Sequence, residues 1–198
     1  QHIMKALTSE GLTASEHDSC LLFRKDLIVI SFVDDLGIQA PNKSIVDQFI
    51  TALERKGFEL TREGTFSEYL GIQYEHLDDG SINITQTGLI DKIISTAGMD
   101  DCNPNKTPST KEALPSDPDG EDMDETWKYR SIVGMMLYLS SNTRPDIAFA
   151  VSQVARFSHK PKKSHSSAIK TIIRYLAGTK EKGTIFKRPD KLNLECYV

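Results

Sequence analysis

The chain has 198 residues, 38% hydrophobic, 8% aromatic and 26% charged, with a formal net charge of -4. This composition excludes wholesale disorder and supplies one sizeable core or two small ones. No run of about 18 apolar residues occurs, which excludes a membrane-spanning helix. Three cysteines, Cys20, Cys102 and Cys196, lie far apart with no CxxC, which excludes a disulfide framework or zinc ribbon and fits a reducing compartment. The chain begins at Gln1 without a signal-peptide pattern, and the expectation is a segment of something longer.

Charge is unevenly spread. Residues 1–125 carry 10 basic and 24 acidic side chains, whereas residues 126–198 carry 14 and 4. A basic half points to a polyanion partner, because Lys and Arg gain by displacing counterions from phosphates. Mutual attraction of the two halves is the alternative.

In chain order, Leu21–Phe23 and Leu27–Val33 flank a charged Arg24-Lys25-Asp26 turn and read as a hairpin. The second strand runs into Asp34 and Asp35 and resumes as Leu36-Gly37-Ile38, which places the Asp pair near the tip of a second hairpin. Residues 44–56 read as a helix with Ile45, Phe49, Ile50 and Leu53 on one face, a Ser44/Asp47 capping box and Gly57 as its stop. Phe58–Thr61 reads as a strand. Tyr69–Tyr74 and Ser81–Thr85 read as a pair joined by Asp78-Asp79-Gly80. Residues 87–97 form a short helix with Leu89, Ile90, Ile93 and Ile94 inside.

Residues 100–125 hold four prolines and nine acidic residues, the composition of a linker or surface loop. Beyond them the pattern is helical. Residues 127–140 come first. Thr143–Asp146 then reads as a capping box with Pro145 in the first turn, leading to Ile147, Val151 and Val154. Ser164 opens a third helix that Gly178 ends. Residues 183–187 and 192–197 read as the start of a further hairpin. Arg156, Lys160, Lys162, Lys163, Lys170 and Arg174 cluster around the last two helices, as a nucleic-acid-binding face or simply a solvated one. His159 and His165 read as surface residues or phosphate contacts, Arg144 and Asp146 as a helix-start device, and Trp127 as a core anchor.

Adjacent carboxylates at a strand end repel one another unless a cation sits on them. Hard oxygen ligands of this kind suit Mg²⁺, which takes one or two carboxylates and shares substrate phosphates. Two such ions serve nucleotidyl transfer. A polar turn without chemistry is the plain alternative.

The neighbouring residues carry a resemblance. Phe32-Val33-Asp34-Asp35 on an apolar hairpin resembles the aromatic-x-Asp-Asp signature of reverse transcriptases. An ordered series resembles the Ty1/copia-type retrotransposon branch: Tyr69-Leu70-Gly71-Ile72, Thr85-Gln86 through Leu89-Ile90, Lys106-Thr107-Pro108, Tyr129-Arg130-Ser131-Ile132-Val133-Gly134, Thr143-Arg144-Pro145-Asp146-Ile147, Arg156-Phe157, and Arg174-Tyr175-Leu176-Ala177-Gly178-Thr179. The series covers nearly all of residues 18–197. Tyr69 stands where the family has Phe, and Ser166 where it has Trp.

The resemblance implies an α+β fold: a partial polymerase palm over residues 1–99, an acidic Pro-rich linker over 100–125, a helical thumb over 126–178, and the start of the connection to RNase H over 179–198. It makes Asp34 and Asp35 catalytic and metal-binding carboxylates, with Mg²⁺ as cofactor. It makes Tyr69, Leu70 and Gly71 a primer-grip-like hairpin. The six basic residues become contacts to the template–primer backbone. The implied partners are an RNA/DNA template–primer, dNTP and the rest of a Pol polyprotein, with no membrane. The implied location is a cytoplasmic retrotransposon particle or the nucleus. Family members carry a further catalytic Asp on an earlier strand and carboxylates of RNase H further on. Neither is present here, so the isolated chain is expected to be inactive as a polymerase and as RNase H. A decayed remnant acting only as a nucleic-acid-binding or structural domain is the alternative.

Overall fold

The structure, a computed structural model, describes residues 2–64, 66–109, 113–123 and 127–187. The described residues form an α+β fold with two antiparallel sheets and six α-helices. The chain divides into two compact units, Gln1–Phe66 and Ser67–Val198, whereas the sequence reading draws its first boundary at 99/100.

In the first unit, helix α1 (His2–Ser9) precedes a sheet of order β1-β2-β3-β4: Thr13–Ala14, Leu21–Arg24, Leu27–Phe32 and Asp35–Gln39. Strand β3 alternates strictly. Leu27, Val29 and Ser31 are buried, and Ile28, Ile30 and Phe32 are exposed. The buried side packs with Leu22 against Leu7 of α1 and against Phe49 and Leu53 of α2 (Lys43–Arg55). A period of 2 on the strand and of 3.6 on the helix thus meet in one small core. Gly37, opposite Ile30 in the ladder, lies under the Phe66 ring, which a Cβ at Gly37 would meet at 2.9 Å.

Two expectations in this unit are corrected. The cap of α2 is Asn42, whose side-chain oxygen accepts from the Ile45 N–H at 3.2 Å, and not Ser44, which lies inside the helix. Phe58–Thr61 is no strand; Phe58 and Leu60 instead pack against the α1/α2 core.

In the second unit the sheet order is β5-β6-β7-β8: Glu68–Tyr69, Ile72–His76, Ile82–Thr85 and Thr184–Phe186. The single strand expected at residues 69–74 is bent back at Leu70-Gly71 into a tight hairpin. The expected strand near 184 exists, but it joins the edge of β7, with Ile84 opposite Thr184. The other arm of that expected hairpin, residues 192–197, lies outside the described residues, as does Cys196.

Helices α3 (Thr87–Thr96), α4 (Tyr129–Asn142), α5 (Ala148–Ala155) and α6 (Lys163–Ala177) surround the larger core. Ile93, Ile132, Met136, Leu139, Val151, Ile169 and Ile173 are all fully buried there. Trp127 packs against this core and donates from Nε1 to the Ala97 carbonyl at 3.3 Å. Tyr129 is buried, and its hydroxyl donates to the Val154 carbonyl at 2.8 Å; burial pushes its phenol up to about 12. Among the described residues, no helix is long and apolar enough to cross a membrane.

The Thr143–Asp146 stretch is not the expected capping box. Pro145–Ile147 forms a 3-10 turn before α5. Arg144, 1% exposed, forks onto both Asp146 carboxylate oxygens at 2.9 and 2.8 Å. It also donates to the Thr179 carbonyl and hydroxyl at 2.9 and 2.8 Å. Tyr175 donates to Asp146 at 2.7 Å. The arrangement locks the start of α5 to the end of α6. Burial by itself pushes the Asp146 carboxyl up, but the hydrogen bonds from Arg144 and Tyr175 and the charge of Arg144 outweigh it and leave the group below its ordinary value.

The candidate metal-binding turn and nucleic-acid interface

Strands β3 and β4 close through a two-residue turn. Phe32 pairs with Asp35, so Val33 and Asp34 form the tip. Val33 sits at φ 52, a left-handed value that β-branched residues rarely adopt. Backbone strain of this kind costs about 1–3 kcal/mol, and where it persists the surrounding ladder must enforce it. Val33, Asp34 and Asp35 are all exposed. The two carboxylates therefore stand together at the rim of an open sheet face that also carries Phe23, Ile28, Ile30 and Phe32.

As a donor set, the pair offers only hard oxygens, and its exposure leaves room for water and phosphate oxygens. That fits a hard divalent cation and not a thiolate- or imidazole-type metal. Among the described residues, no third His, Cys, Asp or Glu groups with the pair.

The second hairpin tip has the same character. Tyr69 pairs with Ile72 across Leu70 and Gly71, whose φ values are 53 and 72. Both central residues are left-handed, the geometry that suits the twist of a tight hairpin, and Leu70 takes it without the freedom of glycine. Long-range contacts hold it. The Tyr138 hydroxyl donates to the Leu70 carbonyl at 2.8 Å, and the Thr87 N–H donates to Gln73 Oε1 at 3.2 Å. Thr143 donates to Gln86 Oε1 at 2.9 Å, with Gln86 buried. Leu70, Gly71, Gln73, Gln86 and Tyr138 line a cleft of about 270 Å³. Gln86 and Tyr138 were missed as site residues because their roles arise only when α3 and α4 meet the hairpin.

The six basic residues do not share one environment. Arg156 is exposed and donates to Gln153; Lys160 is exposed. Lys170 is exposed, its ammonium 5.8 Å from the Trp127 ring centre. Arg174 donates to the Asn103 carbonyl at 3.0 Å. None of these four pairs with a carboxylate among the described residues. Lys162 and Lys163 differ. Lys162 pairs with Asp122 at 2.7 Å and Lys163 pairs with Glu121. Hydrogen bonding and charge from each lysine hold its carboxyl partner below the ordinary range.

His165 is fully buried, against the expectation of a surface residue; His159 is exposed. His165 Nδ1 accepts from the Lys162 N–H at 2.9 Å, and Nε2 lies 3.0 Å from the Pro115 carbonyl. A carbonyl only accepts and an amide N–H only donates, so this geometry requires the neutral ring with its proton on Nε2. The ring stacks on Phe157, with centroids 4.0 Å apart. His165 thus closes the first turn of α6, where the sequence reading places Ser164 as the opener.

The family model described as "Reverse transcriptase (RNA-dependent DNA polymerase)" matches residues 1–111. The Retrovirus-related Pol polyprotein from transposon RE1 of Arabidopsis thaliana is 30% identical over 85% of this chain, which spans 11% of that protein. An uncharacterized mitochondrial protein of Arabidopsis thaliana is 30% identical over 86% of the chain, which spans 70% of it. The Retrovirus-related Pol polyprotein from transposon TNT 1-94 of Nicotiana tabacum is 29% identical over 87% of the chain, which spans 14% of it. No solved structure matches. An Asp pair at a strained apolar hairpin tip and these likenesses converge: the chain belongs to the reverse transcriptase (RNA-dependent DNA polymerase) family, in its copia-type retrotransposon branch.

Proposed function

We propose that this chain supplies the later palm and the thumb of a copia-type RNA-directed DNA polymerase, within a longer Pol polyprotein. The observation that carries the reading is the two-residue tip that holds Asp34 and Asp35 together and exposed at the end of a buried-core strand. Asp34 and Asp35 would hold the catalytic Mg²⁺; a pair of such ions would activate the primer hydroxyl and stabilise the leaving oxygen of nucleotidyl transfer. The chain's own contribution is positional. The β3–β4 ladder fixes the backbone under both carboxylates, and the strained Val33 keeps the tip tight. The Tyr69-Leu70-Gly71 turn grips the primer strand. Arg156, Lys160, Lys162, Lys163, Lys170 and Arg174 follow the template–primer backbone through phosphate contacts that carry no sequence information. A retrotransposon particle in the cytoplasm, or the nucleus, is the location that goes with this reading.

Two carboxylates from one turn make an incomplete two-metal site, so the 198-residue chain alone gives no primer extension. The test is a chimera in which residues 1–111 replace the matching stretch of the transposon RE1 polyprotein. A DNA primer on an RNA template is extended by the chimera with Mg²⁺ and dNTP, and Asp34→Asn lowers extension by more than about 100-fold, in line with the loss of a metal ligand in phosphoryl chemistry. A folded chimera that binds template–primer but extends equally with Asp34 and with Asn, or with neither, overturns the proposal.

A further inference from the structure

Two of the six basic residues are already engaged by carboxylates of the chain's own acidic stretch. Lys162 pairs with Asp122 and Lys163 with Glu121. The Ser164 hydroxyl donates to Asp117 at 2.5 Å, and the Lys163 N–H donates to the Glu121 carbonyl at 3.0 Å. Asp122 and Lys162 form an antiparallel bridge. The stretch expected to be a linker is therefore docked, in register, across the turn that opens α6. We infer that the acidic segment Asp117–Asp122 stands in for nucleic-acid phosphates on this turn, and that a strand reaches Lys162 and Lys163 only by displacing it. The inference rests on the proposal that the basic face contacts template–primer.

Three features make the contact exchangeable instead of merely structural. First, its position is an anion position. Acidic oxygens sit at the N-terminus of a 15-residue helix beside two ammonium groups, where a phosphate would also be favoured. Second, the outer end is at the surface. The Asp122 and Glu121 side chains are each 76% exposed; Lys163 is exposed as well and Lys162 only 12% exposed, so the Lys163–Glu121 pair in particular is weak and screened by salt. Third, the inner end has a different kind of anchor: Pro115 accepts from buried His165. Opening can begin at Glu121 and Asp122 while that anchor holds. Asp117, between the two ends, sits at φ 46, a left-handed value. Arg156, Lys160, Lys170 and Arg174 stay available meanwhile, so the closed state binds with four cations and the open state with six.

The test measures binding of a labelled RNA–DNA hybrid by the 198-residue chain, from about 50 to about 200 mM salt. Over that range two added phosphate contacts are worth roughly ten-fold in affinity. The Glu121→Gln/Asp122→Asn variant is expected to bind tighter at low salt and to lose roughly ten-fold more affinity than the parent across that range. Asp78→Asn/Asp101→Asn, an equal charge change elsewhere on the second unit, is expected to move affinity far less. Lys162→Ala/Lys163→Ala removes that extra loss from the Glu121→Gln/Asp122→Asn background and lowers the salt dependence of the parent chain by less. Matching circular dichroism melts establish that the variants fold alike. Equal effects of the two carboxylate pairs overturn the inference, as does an equal cost of the lysine changes in both backgrounds. If hybrid binding persists and still depends on Arg156 and Arg174, the basic-face reading survives that failure. If no background binds the hybrid, both fall.

Discussion

Arg144 offers the sharpest stability prediction. Its guanidinium is removed from water and makes four hydrogen bonds, two to Asp146 and two to Thr179. Arg144→Ala strips the Asp146 carboxylate of two donors and the Thr179 carbonyl of one, leaving them Tyr175 and the Lys182 N–H at 3.1 Å respectively, and opens a void under the Tyr175 ring. Breaking a buried pair costs about 3–5 kcal/mol. Asp146 is 37% exposed and keeps the Tyr175 hydrogen bond, so the low end applies, about 3 kcal/mol. For a unit of this size that is roughly 10 °C in Tm. Trp127 is the single tryptophan and lies in the second unit, so urea titration followed by its fluorescence reports that unit alone. Arg144→Lys keeps the charge but not the fork and should recover only part of the loss. The pH dependence has a definite sign. Asp146 is held below its ordinary value when folded, so its contribution is complete above the ordinary carboxyl range. It is lost as pH falls through the lowered folded value, and the gap between parent and Arg144→Ala should narrow there. An Arg144→Ala chain within about 1 kcal/mol of the parent at neutral pH would refute the lock.

Three further outcomes are expected. Gly183→Ala places a Cβ 2.0 Å from the Ile84 carbonyl oxygen, so β8 should detach from β7, seen as faster amide exchange at Thr184 and Ile84. Retained protection would contradict the pairing. Tyr129→Phe removes one hydrogen bond to the Val154 carbonyl, which keeps the Phe157 N–H at 3.2 Å, and should cost about 1 kcal/mol in urea titration. Ultraviolet titration of the parent should show one phenol that resists ionisation until about pH 12 and is missing from the variant. Asp34→Asn/Asp35→Asn changes only exposed side chains at a hairpin tip, so melting should move by less than about 0.5 kcal/mol equivalent. A large loss would make the pair structural.

What could be read from the sequence follows the range of the interactions. The β2–β3–β4 meander and its Asp tip are local. Alternating burial and a turn between apolar runs are written in consecutive residues, and the register Phe32 opposite Asp35 follows. Helices α3 and α6 announce themselves by their isoleucine spacing. Caps were harder, because several polar residues stand near each helix start. Asn42 takes the role over Ser44, and His165 closes α6 with a ring that must first be buried against Phe157. The hairpin at Leu70-Gly71 comes from the family resemblance alone, since Leu at a left-handed position has no local signature and the residue pattern reads as one strand. The docking of residues 113–123 was hidden more deeply. Its proline and acidic content is that of a linker, and only the distant Lys162 and Lys163 turn it into a bound segment.

The claim that Asp34 and Asp35 hold the catalytic cation is tested most directly by replacing Mg²⁺ with Fe²⁺ in the chimera assembled on template–primer and mapping oxidative cuts in the polypeptide. The chain carries its own controls, the adjacent acidic pairs Asp78-Asp79 and Asp100-Asp101. Cuts concentrated around Val33–Asp35, suppressed by excess Mg²⁺ and missing from Asp34→Asn/Asp35→Asn, are the predicted result. Cutting no stronger there than at the other two pairs, or unchanged in the variant, would contradict the account.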